Sequence, residues 1–280
     1  MTLTPPEHSQ DLENLSTVEY FSLLHWYDTM GVNAFLDEEA LDYTQLTQEI
    51  KQAQQQSNSA QTPQTRVNNA QPFPFSLEEN REDSAQNTQK IARDCSSLND
   101  LQKALEEFEG CSLKNMAQNL VFADGNPDSE IMFIGEAPGR DEDIQGKPFA
   151  GRTGQLLDKM IASIGLNRET SYITNIVYWR PPGNRTPTPE ESAACRPFLE
   201  RQIELVQPKI IVLLGGAVTK ELLDPNAGIL KMRGKWKTLT IGELSIPTIA
   251  TLHPTYLLRQ PAQKKLVWQD LRLIHKKISE

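Results

Sequence analysis

Four short apolar runs each lead into a residue or turn with chemistry to offer. Glu136 follows EIMFIG (Glu130–Gly135), and Asn175 lies near the end of SYITNIV (Ser171–Val177). Gly215 and Gly216 follow KIIVLL (Lys209–Leu214), and His253 follows PTIATL (Pro247–Leu252). A carboxylate can orient or deprotonate a water, a carboxamide donates and accepts at once, and an imidazole can meet developing charge. Taken singly, each has a plainer reading. Glu136 could be a solvated loop acid, Asn175 a strand-end amide, and His253 a satisfied loop histidine like His8, His25 and His275. Phe149, between Pro148 and Gly151, sits on a glycine-flanked loop, where a ring more readily stacks on a ligand than fills a core. No serine lies in a G-x-S-x-G turn, so a nucleophilic triad has no support. The acids of RDED (Arg140–Asp143) resemble half a metal site, but no second acidic cluster completes it.

The elements that must position these residues alternate. Between the apolar runs lie segments of helical spacing at Gly154–Ile164, Glu190–Val206 and Gly216–Leu223, with a closing helix at Ala262–Ile278. Thr188-Pro189 supplies a cap and a first-turn proline for the second of these. Apolar strands alternating with helices predict a three-layer α/β/α sandwich around a central four-stranded parallel sheet. Such sheets bind ligands at the carboxyl ends of their strands. Glu136, Asn175, the Gly215–Gly216 turn and His253 are therefore expected on one rim.

The 280 residues divide by composition into 1–47, 48–95 and 96–280. The first has a helical pattern at Leu15–Leu46, with Gly31 as a stop. The second is rich in Gln, Asn, Ser and Pro, with Phe73, Phe75 and Leu77 among its few large apolar residues, and predicts a disordered linker. The third begins with a helix at Leu98–Phe108. Net charge is −9, but Met1–Cys95 holds 15 acidic and 5 basic residues, and the remainder 22 and 23. Within Lys231–Glu280 there are 10 basic against 3 acidic residues, an excess suited to phosphates. The first 15 residues have neither a basic start nor an apolar run, so no secretory signal is expected. Three well-separated cysteines, Cys95, Cys111 and Cys195, fit a reducing, bacterial-type cytoplasm better than a disulfide framework.

The pieces GEAPGRDED, GKPFAGRTGQLLD, YITNIVYWRPPGNRTPTPEE, PKIIVLLGGAV, KMRGKW and HPTYLLR occur in this order across about residues 111 to 275. In them the chain resembles the uracil-DNA glycosylase superfamily, and within it the family-4 enzymes. The resemblance implies removal of uracil from DNA by hydrolysis of its N-glycosidic bond. It implies Glu136 as the residue acting on the attacking water and His253 as the donor to the departing base. Phe149 would stack on the flipped uracil, Asn175 would bond its Watson–Crick edge, and Ala137 would contribute to the uracil pocket. Glu142 would approach C5 and help exclude thymine. Tyr256, Leu257 or Leu258 would fill the space vacated in the duplex, with Arg259 beside them on the DNA.

The resemblance also implies a four-iron, four-sulfur cluster held by four cysteines. Cys111 and Cys195 stand at the second and fourth ligand positions, but Phe108 and Trp179 replace the first and third. Neither can ligate iron, and Cys95 is too far from Cys111 to restore the C-x2-C pair. The sequence therefore predicts neither cluster nor metal. A branch that binds uracil-DNA covalently has a histidine after the second strand, where this chain reads WRPPGNRTP. The expected partner is uracil-containing DNA, with the enzyme a monomer acting at the nucleoid and not at a membrane. The acidic N-terminal region is a candidate for contact with a protein. The alternative is a catalytically silent DNA-binding or repair-scaffold protein retaining the fold, which the retention of Glu136, Phe149, Asn175 and His253 disfavours.

Overall fold

The computed structural model describes residues 79–279, with side chains from Asn87 onward. The predicted helical segment 1–47 and most of the linker lie outside the described residues. The end of that linker does not behave as one. Glu79–Asp94 forms a helix (α1), in which Thr88 and Ala92 are buried, followed by buried Cys95. Arg201 donates to the Cys95 carbonyl through Nε at 3.0 Å and Nη2 at 2.9 Å. Too few apolar residues mark this helix for composition to reveal it. Helix α2 (Leu98–Glu107) is capped by the Ser97 hydroxyl, which accepts from Asp100 N–H at 3.1 Å.

Six strands form one sheet: β1 (Asp124–Gly125), β2 (Ile131–Gly135), β3 (Tyr172–Asn175), β4 (Ile210–Leu214), β5 (Trp236–Ile241) and β6 (Leu244–Thr251). Their order is β1-β3-β2-β4-β6-β5. The inner four are parallel and correspond to the four apolar runs; β1 and β5 add antiparallel edges. The sandwich is thus as expected, but the sheet has six strands and not four. The edges escaped the sequence for a physical reason. β1 is two residues long, and β5 (WKTLTI) is mostly wet on one face, so neither presents a continuous apolar run.

Every residue of β2, β3 and β4 is buried, as parallel strands covered on both faces must be. Alternate side chains serve opposite faces. Met132, Ile134, Ile211 and Leu213 join a core with Phe198, Leu199 and Ile203 of the long helix α5 (Pro189–Val206). Ile131, Phe133, Val212 and Leu214 join a second core with Leu157 and Ile161 of α4 (Arg152–Ala162). The closing helix α9 (Lys264–Ile278) adds Val267, Leu271 and Ile274 to that second core. Between these lie the short helices α3 (Arg140–Gln145), α6 (Gly216–Leu222), α7 (Ile229–Met232) and α8 (Pro254–Arg259). Among the described residues no helix is long and apolar enough to cross a membrane.

One buried ion pair ties α9 to the sheet close to the functional rim. Asp270 is fully buried, and burial raises its carboxyl above the usual range while Thr251 and Arg233 oppose that rise. Arg233 grips it through Nη2 at 2.6 Å and Nε at 3.1 Å, and the Thr251 hydroxyl donates at 2.7 Å. Thr251 is two residues before His253. Breaking such a pair strands a charge, which costs about 3–5 kcal/mol. Arg233→Met should lose about that much in urea unfolding, and Arg233→Met/Asp270→Leu should regain a large share of it. A loss below about 1 kcal/mol for the single variant would contradict this assignment.

Candidate active site

Parallel pairing brings the strand ends to one level. Gly135 is paired with Asn175, and Leu214 with Thr251. A cavity of about 620 Å³ opens there, within the ~300–1,000 Å³ usual for small-ligand sites. Its wall includes Glu136, Ala137, Glu142, Phe149, Asn175 and His253. All six residues singled out by sequence for base recognition and chemistry thus face one space.

Gly135 makes the cavity possible. A Cβ there would collide with the Asn175 Oδ1 and with the Phe149 ring edge. The amide and the aromatic ring therefore close over the glycine from two sides. Phe149 is buried yet has φ of 52°, a left-handed backbone rare for a bulky residue. Conformations of this kind cost about 1–3 kcal/mol and persist only where the surroundings enforce them. The Phe149 ring also lies 5.7 Å from the His253 ring, tilted by 32°.

His253 is the N-cap of α8, and its Nδ1 accepts the Thr255 N–H at 3.1 Å. In the neutral ring the proton then resides on Nε2, which becomes the donor. Burial holds its pKa down to about 4, and the nearby Arg259 charge acts in the same direction. Part of the ring surface still faces the cavity. The site thus presents a neutral donor at neutral pH. The Thr153 and Thr255 hydroxyls, 3.2 Å apart, join the start of α4 to the start of α8 beside it.

Two acids of RDED are committed to the loops. Glu142 is buried and accepts the Gly139 N–H at 3.0 Å and the Gly151 N–H at 3.4 Å. Asp143 accepts the N–H groups of Gln118 at 2.8 Å and Asn119 at 3.1 Å. Glu142 lines the cavity, but both its oxygens brace the turns carrying Glu136 and Phe149. Glu142 thus supports the wall and also stands in the cavity lining where an approach to a base was expected.

The expected DNA-wedge residues separate on α8. Tyr256 and Arg259 line the cavity and Leu258 is exposed at 39%, whereas Leu257 is buried at 1% in the second core. Leu257 is thus removed from the wedge, because its side of a one-turn helix must pack on the sheet. The sequence reading missed Arg140, Arg152, Asn184, Arg185 and Thr186, which also line the cavity. Arg185 is fixed by a two-pronged pair with Glu191 at 2.7 and 2.8 Å. The signal was the segment GNRTP, which follows β3 and so must leave from the rim that holds Asn175.

The cysteines lie elsewhere, in the first core. Cys111 and Cys195 are buried with their sulfurs 4.0 Å apart, the Cys195 thiol donating to Cys111. That donation lowers the pKa of Cys111 and, with burial, raises that of Cys195. Phe108 stands edge-on to Phe198 at 4.9 Å and folds over Gly110. Trp179 is buried against Tyr178 at 6.3 Å. The Cys95 thiol turns back to the Ile91 carbonyl at 3.2 Å. Two thiols, a phenyl ring and an indole do not make the ligand set of a four-thiolate group. Among the described residues, no three or more His, Cys, Asp or Glu side chains gather as metal ligands.

Residues 122–272 match the Uracil DNA glycosylase superfamily. A Type-4 uracil-DNA glycosylase of Saccharolobus solfataricus is 42% identical over 180 residues, covering 62% of this chain and 83% of the relative. Another from Thermotoga maritima is 42% identical over 60% of this chain and 87% of its own length. One from Archaeoglobus fulgidus is 40% identical over 64% and 92% respectively. The His253 arrangement has a direct readout. Nitrogen-15 NMR should find it neutral with the proton on Nε2 from pH 8 to pH 5, titrating only near its depressed pKa of about 4. A midpoint near the ordinary value of about 6.5 would contradict the burial argument.

Proposed function

This chain belongs to the uracil-DNA glycosylase superfamily and is a DNA-repair glycosylase, and from that premise we propose how its pocket selects uracil and releases it. The observation that carries the reading is the meeting of Glu136, Phe149, Asn175 and His253 on one cavity wall. The target bond lies inside the base stack, so the nucleotide must be extruded at a cost of a few kcal/mol. Tyr256 and the exposed Leu258 are suited to fill the gap left in the duplex. Arg140, Arg152 and Arg259 at the cavity wall are suited to hold the flanking phosphates.

Inside the pocket the base stacks on Phe149. Asn175 accepts from uracil N3–H and donates to O4, a pair that cytosine reverses. Ala137 packs against the base, and Glu142 keeps the wall in place, leaving little room for a methyl at C5. Glu136 orients a water toward C1′ and takes its proton. As the C1′–N1 bond breaks, its electron pair leaves with uracil, and the charge spreads to the carbonyl oxygen. His253 Nε2–H donates to that oxygen. A neutral donor suits this task, because it stabilises the anion without having to surrender its proton. Water adds to C1′, giving an abasic site and the uracil anion, and the proton taken by Glu136 returns through solvent to give free uracil.

The reaction so derived uses no metal. We propose further that the chain lacks the cluster expected for its family, on the misfit of Phe108 and Trp179 at two ligand positions. Three buried free thiols support a reducing cytoplasm as the compartment, and a DNA substrate there would be nucleoid DNA. We assign the catalytic unit to the domain 96–280, with α1 packed onto it.

Purified protein incubated with a uracil-containing oligonucleotide should release uracil, and alkali should cleave the product strand. His253→Ala and Asn175→Ala should each lose roughly 100-fold or more in single-turnover rate, the effect of removing one such donor in other enzymes, while remaining folded. Wild-type rates in both variants would refute the site. No release by the unmodified chain, with binding to DNA intact, would favour the silent scaffold.

A further inference from the structure

We propose that Arg168 is a positioning residue for the uracil pocket, acting through the backbone of Phe149. The inference rests on the glycosylase reading above, since it concerns the ring assigned to stack on the base. Arg168 lies outside the cavity wall, in the turn before β3. Its guanidinium donates to the Phe149 carbonyl at 2.5 Å through Nη2 and to the Pro148 carbonyl at 3.2 Å through Nη1. The same group is anchored by two carboxylates, Asp124 at 2.5 Å and Asp158 at 2.9 Å. A planar fork with five donors can satisfy these four oxygens together, which an ammonium cannot.

These contacts explain two otherwise odd features. The two-residue strand β1 has a purpose: by pairing with β3 it presents Asp124 to Arg168. The left-handed backbone of Phe149 also gains its enforcement. Arg168 holds the carbonyl from one side. On the other side the first turn of α4 crowds it so closely that a Cβ on Gly154 would overlap the Phe149 carbonyl. With the carbonyl fixed, the ring is directed back over Gly135 and toward His253. Asp158 belongs to α4, so the clamp joins the helix, the edge strand and the Phe149 loop into one support.

The test is a double-mutant cycle in the full chain, using Arg168→Met and Phe149→Leu. It is read at a temperature where circular dichroism shows all four proteins folded. Arg168→Met should slow single-turnover uracil release at least tenfold and weaken inhibition by free uracil by a similar factor. Affinity for uracil-free duplex should stay within twofold. In the Phe149→Leu background the same change should cost less than threefold, because the ring it positions is gone. A merely structural arginine would instead impose its full loss in both backgrounds, and that result would overturn the proposal. So would Arg168→Met activity within twofold of the unmodified protein. If the unmodified protein releases no uracil, the glycosylase reading falls first, and this proposal falls with it.

Discussion

The wall of the pocket depends on the absence of a side chain at Gly135. Parallel pairing sets the end of β2 level with the end of β3, so Gly135 and Asn175 stand side by side. With no Cβ between them, the Asn175 amide and the Phe149 ring can approach the same backbone atom. The rest of the site depends on that approach. It sets where a planar base would lie in the proposed function, and it explains why the Phe149 loop needs an unusual backbone held from behind. The sheet register and the choice of glycine are therefore chemical requirements as well as packing ones.

The charges around this space divide their labour. Buried Glu142 and Asp143 are used on loop N–H groups, where they stiffen the turns. Arg185 is fixed by Glu191, while Arg140, Arg152 and Arg259 ring the cavity as a positive rim. Inside stands His253, kept neutral by its surroundings and fixed in tautomer by the Thr255 N–H. The net charge of −9 does not extend to this rim, because Arg140, Arg152, Arg185 and Arg259 gather there and the acidic excess of the sequence lies before residue 96.

Much of this was legible in the sequence. The four parallel strands appear as apolar runs, since burial on both faces leaves no alternation to misread. Their carboxyl ends then locate Glu136, Asn175 and His253 without further information. What stayed hidden depends on three-dimensional context. Strand β1 is two residues long and β5 has a wet face, so neither carries a run. Helix α1 looks like linker because, from Asn87 onward, Thr88 and Ala92 are its buried residues among mostly polar neighbours. Leu257 and Leu258 are equally apolar, and only the docking of α8 decides that one is core and the other is exposed. Glu142 reads as a pocket acid, and the sequence gives no sign of the two backbone donors it also binds.

The proposed absence of a cluster, with Phe108 and Trp179 where two ligand cysteines are expected, is the part of the reading most open to test. Phe108, Trp179 and the hydrogen-bonded Cys111–Cys195 pair are all buried in the first core, so on the proposed reading the rim needs no iron to hold its shape. The most direct test measures single-turnover uracil release and iron content on the same anaerobically purified sample. The account predicts full release with iron far below one atom per chain and no visible absorption band. Activity that rises and falls with bound iron would contradict it.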